Sequence, residues 1–271
     1  MSDVIPGLSW DDYTAIDALN PSLIKRGLKS MKQFKWGREN PQPTKDAFVF
    51  GHAVHTVVFE PHELDHRFLV FDGRRDKRTS AYQDALAQAE ETGSEIIKTA
   101  DLEAAVAIGL AVTTHPKVKP IIASGQAEVT VTAEEYGRPC KGRLDWVCSQ
   151  PGFADLKTAR NIQSFAFGKA FFEYGYDVSL GLYQRWLARI RGQDEPCWVL
   201  CVEKEPPYDA AVVLVPQEVL DRGRDKGLRI IERVNECEKT GVWPGVDEGD
   251  WYPLHVPYYE MGDDEMEEFQ G

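Results

Sequence analysis

Residues 142–158 read GRLDWVCSQPGFADLKT, and this stretch decides the fold. Its two halves alternate between apolar and polar residues and are joined by SQPG, which predicts two β-strands connected by a turn. The preceding stretch AEVTVTA, residues 127–133, also alternates, and the turn signal EEYGRP separates it from the first of these strands. We therefore expect a three-stranded meander over residues 127–158.

Two acids and a lysine lie on adjacent strands of this meander. Asp155 and Lys157 are two residues apart, so their side chains project from one face of a strand, and the turn allows Asp145 to lie beside them. Carboxylate oxygens suit Mg²⁺ or Mn²⁺, and a lysine can polarise a phosphate oxygen or hold an attacking water. An Asp-x-Lys pair on an exposed strand is usually only a solvated ion pair. The apolar run FADL around Asp155 favours the metal site instead.

The N-terminal half reads as a series of helices. A cap at Asn20-Pro21 precedes a predicted helix over residues 23–36, and a buried apolar helix is predicted over residues 47–61, closed by Pro61. A basic turn at residues 74–78 leads to helical patterns at about 80–92 and 99–114, the second beginning with the cap TADLE. The first helix is basic, with Lys25, Arg26, Lys29, Lys32 and Lys35.

After the meander, the pattern returns to helices and then to strands. A helical zone from about residue 163 to 191 is expected to break near Gly175, and CWVLCVE and DAAVVLV flank EPPYD as a second hairpin. A final amphipathic helix is predicted over residues 216–241. This order predicts one α/β domain with an N-terminal helical layer. We assign residues 1–262 to this domain and residues 263–271 to an acidic tail.

Charge and composition limit the function classes. The 271 residues carry a net charge of −13, but nine acids and no Lys or Arg fall within residues 246–271, so the rest carries 31 bases against 35 acids, or −4. The net charge of the whole chain therefore does not exclude nucleic-acid binding. The five cysteines form no CxxC, which indicates reduced thiols. With no apolar run of membrane-spanning length and no secretory signal, we expect a cytoplasmic protein that binds no membrane.

Several segments together resemble a known family. They run in order from residues 22–25 to residues 243–245 and include FGHAVHTVVFEP, RRDKRT, AEVTV, CKGRLDW, ADLKT, GYDVSLGLY and VEKEPPY. In this order and spacing they resemble the exonuclease VIII (RecE-type) phage and prophage exonucleases of the PD-(D/E)XK nuclease superfamily. The resemblance implies an α/β fold with a PD-(D/E)XK nuclease-like core, in which helices flank a central mixed β-sheet.

The resemblance also implies a catalytic set of two acids and a lysine. These are Asp145, Asp155 and Lys157, with the Leu156 carbonyl as a further metal ligand. Glu128 matches the upstream acidic position of these nucleases, although a glutamate on an alternating strand is more often solvent-facing.

His55 matches the histidine of the Gly-x-x-x-His motif that begins at Gly51, which implies a metal ligand or an organiser of the site. The alternative is that both histidines are core residues of an apolar helix whose hydrogen bonds are satisfied. We expect His52 to face a different direction from His55. Tyr183 matches the tyrosine of a Gln-x-x-x-Tyr pattern, but Ser179 stands where glutamine is usual.

The activity that the resemblance implies is Mg²⁺-dependent 5′-to-3′ exonucleolytic digestion of linear double-stranded DNA, with Mn²⁺ as a substitute ion. Digestion from DNA ends would expose 3′ single strands for recombination. A ring-shaped homo-oligomer and a single-strand annealing protein are the implied partners. The alternatives are an endonuclease or repair nuclease of the same superfamily, or a catalytically silent DNA-binding or assembly subunit.

Overall fold

The computed structural model describes residues 3–40 and 46–247. The strands are β1 (Asp3–Ile5), β2 (Phe68–Val70), β3 (Glu95–Ile97), β4 (Gly125–Glu135), β5 (Arg138–Cys148), β6 (Phe153–Ala159), β7 (Cys197–Glu203) and β8 (Ala210–Leu214). The helices are α1 (Trp10–Ala15), α2 (Pro21–Ile24), α3 (Met31–Glu39), α4 (Asp46–Phe59), α5 (Leu64–Arg67), α6 (Ser80–Thr92), α7 (Thr99–Thr114), α8 (Val118–Ile122), α9 (Ser164–Glu173), α10 (Tyr176–Arg191) and α11 (Gln217–Thr240). The predicted acidic tail lies outside the described residues.

The central sheet is mixed, as expected. Its six strands lie in the order β1-β4-β5-β6-β7-β8. The meander β4-β5-β6 and the hairpin β7-β8 are antiparallel and confirm the predictions, whereas β6 and β7 run parallel. The helices α9 and α10 connect these two parallel strands, and the predicted break between them is confirmed at Gly175, where φ is 64°. The short strands β2 and β3 form a separate parallel pair.

The prediction of one helix over residues 23–36 is wrong. Asn20 does cap α2, with its side chain accepting the Leu23 N–H, but the chain then forms a 3₁₀ turn over Lys25–Leu28 before α3 begins. Ser30 caps α3 by accepting the Gln33 N–H. A Cβ on Gly27 would lie 2.5 Å from Ile230, so the turn packs closely against α11. Capping chemistry inside the basic stretch therefore divides it.

The sheet separates two hydrophobic cores. One lies against α10 and α11 and contains Trp186 and Ile231; the other lies against α4 and α7 and contains Val54 and Ile108. The buried position expected for the apolar helix is confirmed. The α10 and α11 backbones approach so closely that a Cβ on Gly223 would lie 2.0 Å from a backbone oxygen of α10. This close approach holds the two helices of this layer together.

The start of α7 differs from the predicted cap. Thr99 is the first helical residue, and the Asp72 carboxylate accepts both its N–H at 2.9 Å and its hydroxyl at 2.6 Å. The cap thus comes from a distant segment and not from TADLE itself. All five cysteines are buried. Among the described residues, no helix has the length and apolar character needed to cross a membrane.

Candidate active site

The site lies where β5 and β6 separate. These strands pair at only two positions, and the one nearer the site joins Trp146 to Ala154. Beyond it, an Asp145 carboxylate oxygen accepts the Leu156 N–H at 2.7 Å. The Asp145 side chain therefore replaces a ladder hydrogen bond. This holds its carboxylate in the opening between the strands.

Glu128 lies opposite Asp145 on β4 and has an unusual backbone. Its φ of 50° lies in the left-handed region, which few non-glycine residues adopt. The regular alternation of side chains along β4 is interrupted at this point. Ala127 and Val129 are two residues apart and would normally share a face, but they contact opposite cores. Strained backbone of this kind is concentrated at functional sites. Here it places the Glu128 carboxylate near Asp145.

Three potential metal ligands converge at this point. One ligand atom each from His55, Glu128 and Asp145 lies within 4.8 Å of the other two. The His55 Nδ1 is 3.5 Å from Asp145 Oδ2. Burial, followed by the Asp145 charge, raises the pKa of Glu128. Two partly buried carboxylates and an imidazole form a donor set that a divalent cation fits, because its charge offsets their repulsion.

Asp155 and Lys157 form a buried ion pair beside this cluster. Their side chains are 7% and 21% exposed. Burial raises the pKa of Asp155, with Lys157 opposing the shift. Burial would lower the pKa of Lys157, but Asp155 and then Asp145 outweigh it and raise that pKa. The Lys157 ammonium also donates to the Leu156 carbonyl at 3.2 Å, the carbonyl expected as a metal ligand.

The two histidines of α4 face different surroundings, as expected. His52 pairs with Glu95 on β3 and contacts the edge of Phe68 at 5.4 Å between ring centroids. His55 instead faces Asp145. The two histidines are three residues apart on α4, so His55 faces the site while His52 faces Glu95.

Tyr183 packs behind the site, against β5. A Cβ on Gly142 would lie 2.5 Å from its ring, so only glycine accommodates this contact. Burial, followed by Tyr13 and the carboxylates of the site, raises the pKa of Tyr183 well above its ordinary value. Ser179 is buried one turn earlier on α10. Gln184 does not replace the usual glutamine, because its amide donates to the Glu195 carbonyl instead.

Three residues near the site were not among the site residues expected from the sequence. Arg143 donates to Glu128 at 2.7 Å, and Tyr176 lies beneath the Lys157 ammonium, 5.1 Å from its ring centroid. Lys25 lies over the same ring, at 5.5 Å from its centroid. Arg143 could have been inferred because it alternates with Asp145 along β5. Lys25 and Tyr176 come from distant segments and lack such a signal.

The basic turn is exposed. The side chains of Arg74 and Arg78 are 83% and 84% exposed, and both lie within 4.0 Å of Asp76.

Burial, followed by the Lys157 charge, lowers the pKa of Lys25 to about 8. The two basic segments therefore differ: one is a surface turn, and the other brings a lysine to the site.

The family follows from a match over most of the chain. Residues 22–249 match the family described as "PDDEXK-like domain of unknown function (DUF3799)". The chain belongs to this family. Membership places this PDDEXK-like protein in the PD-(D/E)XK nuclease superfamily. No match was found among the curated proteins.

A solved structure shares the fold of this PDDEXK-like protein. The crystal structure of a "putative exonuclease" from Eubacterium rectale superposes with a TM-score of 0.64 at 15% identity, over 92% of this chain and 95% of that chain. A phage-related exonuclease from Haemophilus somnus 129PT is 12% identical over 69% of this chain and 94% of that chain, with a TM-score of 0.32. At such identities, the Eubacterium likeness shows a shared fold.

Proposed function

We propose that this protein is a metal-dependent deoxyribonuclease. The observation that carries the proposal is the convergence of His55, Glu128 and Asp145 beside the buried Asp155–Lys157 pair, where β5 and β6 separate. This arrangement concentrates negative charge around one position and keeps the Lys157 ammonium next to it. Hydrolysis of a phosphodiester requires both features, because a metal ion and a nearby positive group stabilise the charge of the transition state.

Mg²⁺ is the proposed ion, with Mn²⁺ as a substitute. Asp145 and Asp155 would hold it, together with His55, the Leu156 carbonyl and Glu128. When bound, such an ion lowers the pKa of a ligated water and neutralises charge on phosphate oxygens. Oxygen-rich ligand sets favour these hard cations.

The protein's own groups orient the site and supply charge. The Leu156 N–H holds the Asp145 carboxylate, and Arg143 holds the Glu128 carboxylate at 2.7 Å. Lys157 stays protonated at neutral pH because neighbouring carboxylates raise its pKa. Its ammonium is the group proposed to contact the scissile phosphate. Tyr183 is proposed to support β5 from behind.

The finer proposal is 5′-to-3′ digestion of linear double-stranded DNA that leaves 3′ single strands for recombination. It is supported by the resemblance to exonuclease VIII (RecE-type) enzymes and by the word exonuclease in the name of the Eubacterium rectale structure that shares the fold. Lys25 and the exposed arginines of residues 74–78 offer phosphate contacts for an entering duplex. We also propose one nuclease domain, a ring-shaped homo-oligomer and an annealing-protein partner.

One gel experiment tests this proposal. The purified protein is incubated with linear, nicked and covalently closed circular forms of one plasmid, with Mg²⁺ or with EDTA. We expect Mg²⁺-dependent loss of linear DNA while closed circles survive. Cutting of closed circles at a comparable rate would contradict the exonuclease proposal but would leave the proposal of a nuclease standing. Absence of any metal-dependent digestion would favour a silent DNA-binding subunit.

A further inference from the structure

Three aromatic side chains form a ridge that leads away from the candidate active site. This aromatic ridge consists of Phe172, Tyr174 and Tyr176, at the junction of α9 and α10. The Tyr174 and Tyr176 rings lie 5.7 Å apart, and buried Phe171 contacts Tyr176 at 5.9 Å and Phe172 at 5.4 Å between centroids. Phe172 is 51% exposed and Tyr174 is 60% exposed. The buried Phe171 ring thus contacts exposed Phe172 and half-buried Tyr176, and Tyr176 in turn contacts exposed Tyr174.

Cations accompany the ridge. The Lys25 and Lys157 ammonium groups both lie over the Tyr176 ring, and Lys226 lies over Phe172 at 5.7 Å. Residues 159–176 contain two bases and one acid, although the whole chain carries −13. In the described part of the chain, Lys25 has no carboxylate within ion-pair distance. Lys157 and Lys226 are paired with Asp155 and Asp177, so Lys25 is the ridge lysine that remains for a phosphate.

We propose that the aromatic ridge binds single-stranded DNA next to the scissile phosphate. Exposed rings interleaved with cations match this ligand, because unpaired bases stack on aromatic faces while lysines contact the phosphates. In a duplex, the base faces are already covered by neighbouring base pairs. The Lys157 ammonium lies 5.1 Å from the Tyr176 ring centroid, and the Tyr174 centroid lies 5.7 Å from that of Tyr176, so one short strand could contact both residues.

This inference rests on the proposed nuclease function, because it names the strand that the site would hold. Its test measures binding without cleavage. Fluorescence anisotropy in EDTA gives the Kd of the full-length protein for a labelled oligo(dT) of about 12 nucleotides, within the usual site sizes of single-strand binding proteins. The same titration is repeated with a blunt duplex.

The variants separate stacking from general effects. Tyr174→Ala should weaken oligo(dT) binding about tenfold, because one stacked base contributes about 1–3 kcal/mol, and should change duplex binding little. Tyr174→Phe should bind oligo(dT) like the parent, because the ring remains. Tyr136→Ala is the matched control, since that tyrosine is 53% exposed at the β4–β5 turn, far from the site.

The outcomes distinguish the ridge from the catalytic proposal. A folded Tyr174→Ala protein with an unchanged Kd for oligo(dT) would overturn the ridge proposal. An unchanged Kd with a smaller particle in gel filtration would overturn it too and identify a subunit contact. If the parent digests no DNA with Mg²⁺ yet Tyr174→Ala loses oligo(dT) affinity, the ridge stands and the nuclease proposal fails.

Discussion

Removing the Lys157 charge should destabilise the folded protein as well as slow catalysis. Lys157→Met keeps most of the side-chain volume but leaves the Asp155 carboxylate without its ion-pair partner. That carboxylate is 7% exposed, and burial already raises its pKa. The variant must therefore either hold an unpaired buried charge or protonate Asp155.

The expected loss is about 3–5 kcal/mol in the free energy of unfolding at pH 7, the range seen when one partner of a buried pair is removed. At an m-value of about 2–3 kcal/mol/M, the urea midpoint should fall by roughly 1.5 M. The loss should be smaller at pH 5. A carboxylate with a raised folded-state pKa lowers stability above that pKa, and protonation removes this penalty as the pH falls.

Urea unfolding in EDTA, followed by tryptophan fluorescence, measures both effects, because no cation can then replace the lysine. Lys204→Met is a control at an exposed lysine. The double variant Asp155→Asn/Lys157→Met should recover about 2 kcal/mol or more relative to Lys157→Met, because it removes both charges. A Lys157→Met protein as stable as the parent, or a double variant whose loss equals the sum of the single losses, would refute the buried-pair argument.

Three further predictions follow from the site and its surroundings. His55→Ala should slow Mg²⁺-dependent digestion by about 10²-fold or more, whereas His52→Ala should stay near the parent rate; the reverse ranking would mean that the wrong histidine faces the site. Lys25→Met should raise the melting temperature at pH 7, because burial of the charged lysine costs stability below its folded pKa of about 8, and the gain should fade as the pH rises toward 10.5; a variant less stable than the parent at pH 7 would contradict this. Truncation after Gly262 should preserve digestion, and its loss would show that the acidic tail belongs to the fold or assembly.

Alternation was sufficient to predict the meander, and two short apolar runs on either side of EPPYD predicted the hairpin, because each strand buries one or both faces against a core. The i, i+2 relation likewise placed Asp155 and Lys157 on one face, and the structure confirms that they pair. The break at Gly175 was predictable because glycine adopts the left-handed backbone found there more readily than any other residue.

Other features depend on contacts between distant segments. The strands β1, β2 and β3 have three residues each, too few to show a periodic pattern. Asp72 caps α7 from 27 residues away in sequence. The left-handed backbone at Glu128 interrupts an otherwise regular alternation without any glycine to mark it. Sequence alone therefore could not show how Glu128 approaches Asp145.

The most direct test of the central claim compares the parent with Asp145→Asn in one digestion assay. This substitution keeps the side-chain shape but removes the charge of the residue shared by the metal-ligand cluster and the strand opening. Asp84→Asn, at an exposed position on α6, is the control. With Mg²⁺, the initial rate of nucleotide release from linear duplex DNA should fall about 10²- to 10³-fold in Asp145→Asn and stay unchanged in Asp84→Asn. Equal rates for Asp145→Asn and the parent would contradict the assignment of this site.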